Sequence, residues 1–157
     1  EKLMEAAREE FGINSDVSPK FTLDVSQQDN VWFVIDTDSW GSKITDLRNF
    51  CKSQNAGLDN EAWYVSQSNP SFEIWLYYHK FSEKPVKNDV DKYSSIKEFV
   101  DAQIPGGFDS RKHPAMIEAA IQNAKATYEE ENQVLKLYST EVFKLGQVIL
   151  PFVKDIL

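Results

Sequence analysis

Apolar and polar residues alternate along this chain in a way that separates helices from strands. Leu3, Met4, Ala7 and Phe11 recur at helical spacing and Gly12 stands where that helix should end. Phe21–Val25 alternates as a short edge strand would. Val31–Ile35 is continuously apolar and rich in β-formers, which is the pattern of a strand covered on both faces. Ile44, Leu47, Phe50 and Cys51 then fall on one face of a second helix closed by Gly57, and Trp63–Val65 makes another short strand. Strand, helix, strand in that order implies a parallel right-handed crossover.

Helices dominate from there on. Asn69 and Pro70 have the chemistry of an N-cap and first helical residue, and Phe72 to Tyr78 leaves almost no polar face, so a central helix is expected. The stretch 82–93 is polar and reads as a surface loop. Ile96, Phe99 and Val100 begin a short helix that stops at Pro105-Gly106-Gly107. Pro114 opens a longer one with Ile117, Ala120, Ile121 and Ala124 inward. Glu129–Glu131 reads as a solvated helix end or turn. Val142, Leu145, Ile149 and Phe152 form the stripe of a last helix, kinked near Pro151. The expected architecture is α/β: a small parallel sheet flanked by helices, with a helical C-terminal cap. It forms one domain over 1–157, divided into an α/β core at 1–80 and a mostly helical extension at 81–157.

Composition narrows the function. A net charge of -8 argues against broad phosphate binding by a basic surface, although a metal ion at an acidic site would restore positive charge locally. Cys51 is the single cysteine, which excludes an internal disulfide and a thiolate zinc cluster; its apolar neighbours make it a buried small hydrophobe. No apolar run reaches a membrane span and no signal peptide is visible, so a cytoplasmic protein with no membrane partner is expected.

The candidate chemistry lies in two segments. VWFVIDTD (31–38) ends an apolar strand in Asp36 and Asp38, at the sheet edge where α/β proteins bind ligands. Residues two apart on an extended backbone face the same way, and hard carboxylate oxygens suit Mg²⁺ or Mn²⁺. The plain alternative makes Asp36 a helix cap and Asp38 a turn residue. SNPSFEIWLYYH (68–79) places Glu73 in an apolar helix, one turn after Asn69, so that the two side chains share a face. The competing reading has Glu73 satisfied by nearby backbone N–H groups or a tyrosine hydroxyl. His79 and His113 read as a helix terminator and a turn residue. In PGGFDSRKHP (105–114), Arg111 and Lys112 are candidate phosphate contacts, though a plain loop is the default and the GK[ST] of a P-loop is absent. A dehalogenase-type phosphatase would carry a small Thr or Val where Trp40 stands, and a sugar-nucleotide transferase is usually a longer chain.

Taken together, these segments resemble the RloB-like proteins, a bacterial, phage-defence-associated family with a Toprim-like fold. VWFVIDTDSW looks like that family's strand ending in an acidic pair. SNPSFEIWLYYHKF is similar to its Asn-Pro turn and Phe-Glu-hydrophobic-Trp signature with a late His. HPAMIEAAIQNAK and STEVFKLGQVIL look like its Ala-rich and closing helices. The resemblance implies Asp36 and Asp38 as metal ligands for Mg²⁺ or Mn²⁺, with Glu73 and Asn69 supporting them at the active site. It implies a metal-dependent nuclease acting on DNA or RNA in antiviral defence of the abortive-infection or restriction-associated kind. The alternative is a non-catalytic or partner-activated binding subunit, held by an ATPase or by a second copy of itself. Toprim-type enzymes also carry a Glu at the end of a first strand. No such segment precedes Leu3–Phe11, so either that first strand and its Glu are expected before residue 1 or this copy lacks the motif.

Overall fold

A computed structural model describes residues 2–13, 16 and 18–156. In chain order the elements are α1 (Lys2–Phe11), β1 (Val31–Asp36), α2 (Thr37–Trp40), α3 (Lys43–Asn55), β2 (Trp63–Ser68), α4 (Glu73–Tyr78), α5 (Lys87–Val90), α6 (Ile96–Gln103), α7 (Ile117–Ala126), the strands β3 (Glu130–Glu131) and β4 (Val134–Leu135), and α8 (Val142–Val153). Single 3-10 turns occupy Val25–Gln27 and His113–Met116. This is a mixed α/β architecture in which β1 and β2 form a parallel two-stranded sheet and the chain closes with a helix.

The chain divides into two compact units, Glu1–Phe33 with Ser42–Val65, and Val34–Gly41 with Ser66–Leu157. The first three residues of each strand fall in the first unit and the last three in the second.

In the first unit α1 ends as the periodicity predicts, with Gly12 in the left-handed region at φ 62°. The core there is aromatic. The Trp63 ring is met edge-on by Phe11 at 5.0 Å and by Phe50 at 5.8 Å, and Phe33 lies 6.2 Å from both Phe50 and Trp63. Leu47, Phe50 and Cys51 form the buried face of α3, and burial pushes the Cys51 thiol up to about 11, so it is an inert core residue. Asn55 closes that helix onto β2, its Oδ1 accepting from the Ala62 and Trp63 N–H groups. The edge strand expected at Phe21–Val25 does not form: Asp24 instead accepts from the Ser26 and Gln27 N–H groups and nucleates the 3-10 turn.

In the second unit α4 is central, with Ile74, Trp75, Tyr77 and Tyr78 buried among α6, α7 and α8. Ser95 caps α6 by accepting from the Glu98 N–H while Glu98 accepts from Ser94, a reciprocal arrangement close to a capping box. The buried face of α7 is Ala120, Ile121 and Ala124, as expected. α8 packs tightly at Gly146, where a Cβ would stand 3.0 Å from the Ile121 side chain and 3.4 Å from Trp75.

Several expectations are corrected. β1 is not covered on both faces, since Val34 is 43 % exposed. On α8 the buried positions are Val142, Phe143 and Gly146, while Ile149 and Phe152 face outward, and the helix continues through Pro151. The polar stretch 82–93 contains the short helix α5. Glu130 and Glu131 belong to a hairpin, pairing with Leu135 and Val134. Its two turn residues, Asn132 and Gln133, both have positive φ.

Candidate functional site

The two segments singled out in the sequence meet in the second unit. β1 ends at Asp36, which is extended (φ -102°, ψ 138°), and at Thr37 the backbone turns into α2. Asp38 therefore sits in the first turn of a short helix, not on the extended backbone expected to align it with Asp36. Asp36 occupies the N-cap position without making a side-chain cap bond, so capping does not account for its carboxylate.

Thr37, between the two acids, is tied down on both sides. Its Oγ1 donates to the Ser68 carbonyl at 2.9 Å and accepts from the Gln67 amide at 2.7 Å, clamping the turn to the end of β2. The Asp38 N–H donates to the Pro70 carbonyl at 3.2 Å. Asp38 itself is exposed, with the Ser39 hydroxyl 3.2 Å from its Oδ1.

Asp36 is half-buried, and its carboxyl is held above the usual carboxylate range. Burial is the largest cause. The Phe72 backbone N–H opposes it, and the negative charges of Asp38 and Glu73 push the same way as burial. Glu73 is the first residue of α4 and is half-buried; the Ser71 hydroxyl donates to its Oε2 at 2.7 Å. Asp36, Asp38 and Glu73 thus lie within electrostatic reach of one another. Among the described residues, no group of three or more His, Cys, Asp and Glu is gathered closely enough to hold a metal ion.

Asn69 is placed differently. The expected N-cap at Asn69 and first helical position at Pro70 do not occur: their peptide bond is cis and α4 starts at Glu73. Asn69 is engaged by a distant stretch of chain. Its Nδ2 donates to the Leu135 carbonyl at 2.7 Å, its N–H to Ser139 at 2.9 Å, and its carbonyl accepts from the Tyr138 N–H at 2.8 Å. Arg111 and Lys112 lie in an exposed loop where Asp109 is their partner, at 3.1 Å and 3.7 Å. Those contacts hold the Asp109 carboxyl below its usual range, with Arg111 the largest cause. His79 is buried against Trp75 and Phe108 with its Nδ1 3.0 Å from the Trp75 carbonyl, and burial depresses its pKa. His113 accepts from the Asp109 N–H at 2.7 Å, the turn role expected of it.

The sequence reading missed the floor of the site. Residues 138–141 run antiparallel beside the end of β2, through a Ser68–Thr140 bridge and a Glu141 N–H to Gln67 carbonyl bond of 2.7 Å. The Ser68 and Thr140 hydroxyls share a 2.7 Å hydrogen bond. Glu141 is 3 % exposed, yet it accepts from the Gln67 N–H at 3.1 Å through Oε2 and from Lys144 at 2.8 Å through Oε1. The only signal for this was the polar Ser139-Thr140-Glu141 directly ahead of an apolar helix.

No curated protein and no solved structure matches the chain. The model of the RloB-like protein family matches residues 1–149 of the 157, and on that match the chain belongs to the RloB-like family.

Proposed function

We propose that this protein is a Mg²⁺- or Mn²⁺-dependent nuclease that cleaves nucleic-acid phosphodiesters in antiviral defence, on a Toprim-like scaffold, with Asp36 and Asp38 as the metal ligands. The observation that supports this most is the electrostatic state of Asp36: a half-buried carboxylate whose two charged influences, Asp38 and Glu73, are both negative. Such a site is short of positive charge, and its hard oxygen donors suit these cations. Two carboxylates are enough, since Mg²⁺ commonly keeps one or two protein ligands and completes its shell with water and substrate oxygens.

When bound, the metal supplies Lewis-acid stabilisation of charge on the phosphoryl oxygens. The chain's own residues do the rest. Asp36 and Asp38 hold the ion, and Thr37, anchored to Gln67 and Ser68, keeps the two acids in register. Glu73, oriented by Ser71, accepts a proton from the attacking water. Asn69 acts as a positioning residue by fixing the turn that leads to Glu73. Arg111 and Lys112 meet the substrate phosphates, which requires exchanging exposed contacts to Asp109 that are individually weak.

The acidic balance of the chain, -8, supports a second reading: a non-catalytic or partner-activated subunit of a defence complex that meets nucleic acid through an ATPase or a second copy. The two readings separate on incubation of the protein with plasmid, single-stranded DNA and tRNA in Mn²⁺ or EDTA, beside an Asp36→Asn/Asp38→Asn variant. Cleavage that requires Mn²⁺ and disappears in the variant is expected. Cleavage that survives the double substitution would remove these acids from the mechanism. No cleavage of any substrate would favour the binding role. Calorimetric Mn²⁺ titration should show affinity falling on acidification from pH 7, beginning above the ordinary carboxylate range, because protons compete for Asp36.

A further inference from the structure

Beyond the acidic site, the second unit contains a cavity of about 500 Å³ between α4, α5 and α6. Four of its lining residues are aromatic. Tyr77 and Phe81, one turn apart, stack with ring centroids 4.4 Å apart and planes 19° from parallel. Phe99 lies 5.9 Å from Tyr77, and Tyr93 meets Phe99 edge-on at 5.6 Å. Phe99 and Tyr77 are buried and form the floor, whereas Tyr93 is 37 % exposed. The volume is that of a small-molecule site.

The charges at the mouth decide what fits. Four ionisable groups line it with Tyr93 and the rings: Glu83, Lys84, Asp89 and Lys92. Lys84 pairs at 3.0 Å with Glu129, which lies outside the lining, and Lys92 pairs at 2.6 Å with Asp89. That leaves the Glu83 carboxylate, exposed and with no ion-pair partner among the described residues. Both lining ammonium groups have carboxylate partners, so the lining charge left to meet a ligand is the negative one on Glu83. A cation meets a carboxylate beside the two partly exposed rings, Phe81 and Tyr93, a combination that recognises organic ammonium and guanidinium groups.

We infer that this cavity binds an organic cation, a guanidinium or alkylammonium head group seated against the Tyr93 and Phe81 rings and facing Glu83. The site is independent of the metal reading, since no residue of it is shared with Asp36, Asp38 or Glu73. The head group could be carried by a free small molecule or by an arginine of a protein partner, and the test distinguishes them.

The full chain is titrated with agmatine, with a blocked tripeptide carrying a central arginine, and with AMP as the anionic aromatic control. Binding is followed by the aromatic NMR resonances of Tyr77, Tyr93 and Phe99. Agmatine is expected to shift these rings saturably, and added salt to weaken it. Tighter binding of the peptide assigns the cation to a protein partner, and equal or weaker binding to a small molecule. Glu83→Gln, at an exposed position, is expected to weaken agmatine about two- to fivefold, the range of an exposed ion pair. Tyr93→Leu should weaken it by a similar factor through loss of the ring face. No saturable shift, an unchanged affinity in Glu83→Gln, or AMP binding at these rings more tightly than agmatine would each overturn the inference.

Discussion

Replacing Glu141 with alanine should destabilise the second unit by about 3 kcal/mol, and the structure shows where that loss arises. The carboxylate is 3 % exposed, and its charge-assisted contacts include the Gln67 N–H at 3.1 Å and Lys144 at 2.8 Å. Gln67 is itself buried, so its N–H would lose this acceptor away from water, at a cost of about 1–3 kcal/mol. The void left by the side chain adds on the order of 1 kcal/mol. Lys144 is 43 % exposed and can turn to solvent, so its share is at most about 1 kcal/mol. For a chain of this length the sum corresponds to a fall in Tm of about 6–12 °C. Glu141→Gln retains an acceptor for Gln67 and should lose only about 2–4 °C. Lys144→Ala gives up the ion pair and its cation–π contact with Tyr128, and should cost no more than about 1 kcal/mol. Thermal unfolding followed by circular dichroism measures all three. If the Gln and Ala variants fall equally, the acceptor role assigned to Oε2 is wrong. If Lys144→Ala matches Glu141→Ala, the stabilisation lies in the ion pair instead.

Two further outcomes follow from packing and from titration. Gly146→Val should cost about 1–3 kcal/mol by overpacking against Ile121 and Trp75. Gly146→Ala should cost less, because a helix propensity gain of about 1 kcal/mol offsets the clash; urea midpoints would separate the two, and equal midpoints would contradict the close approach of α7 and α8. His79 has its folded pKa depressed by burial, so the stability linked to its neutral form is present above the unfolded value of about 6.5 and is lost as pH falls from there through the folded value. The unfolding free energy of the wild type, from urea titrations, should therefore fall between pH 7.5 and 5.5 more steeply than that of His79→Gln, by at most about 1.4 kcal/mol per pH unit; parallel slopes would mean that His79 does not titrate between the states.

How much of this was legible in the sequence depends on the range of the interaction that decides each element. α1, α3, α6 and α7 were readable because one apolar face and a local stop signal define each of them; Gly12 and Pro105-Gly106-Gly107 are local facts. Asp36 at the end of β1 was readable for the same reason. The start of α4 was not, because Asn69 has a good cap's chemistry but spends its amide and both backbone groups on residues 135–139, more than sixty positions later. The β3–β4 hairpin escaped notice because its turn is Asn132-Gln133, and glutamine gives no hint that it will adopt positive φ. α8 misled in the opposite direction. Its apolar residues surround the helix, so periodicity alone could not choose between the Val142–Phe143–Gly146 face and the one carrying Ile149 and Phe152.

The same long-range pairing explains why the candidate site is built as it is. Burying polar side chains is unfavourable unless they are paired. Even so, Gln67, Ser68, Ser139, Thr140 and Glu141 are all buried and hydrogen-bonded, Gln67 to Glu141, Ser68 to Thr140, and Ser139 to Asn69 and Glu129. An apolar core would pack that volume without directional constraint. Hydrogen bonds fix both distance and angle, and this network hands its register to Thr37 and to the Asn69–Pro70 turn, from which Asp36, Asp38 and Glu73 depart. Like-charged carboxylates repel, so two of them stay near a third only if the backbone beneath each is held. The polar floor meets that requirement, which is why a substitution at Glu141, a residue with no proposed metal contact of its own, should disturb Mn²⁺ affinity as well as stability.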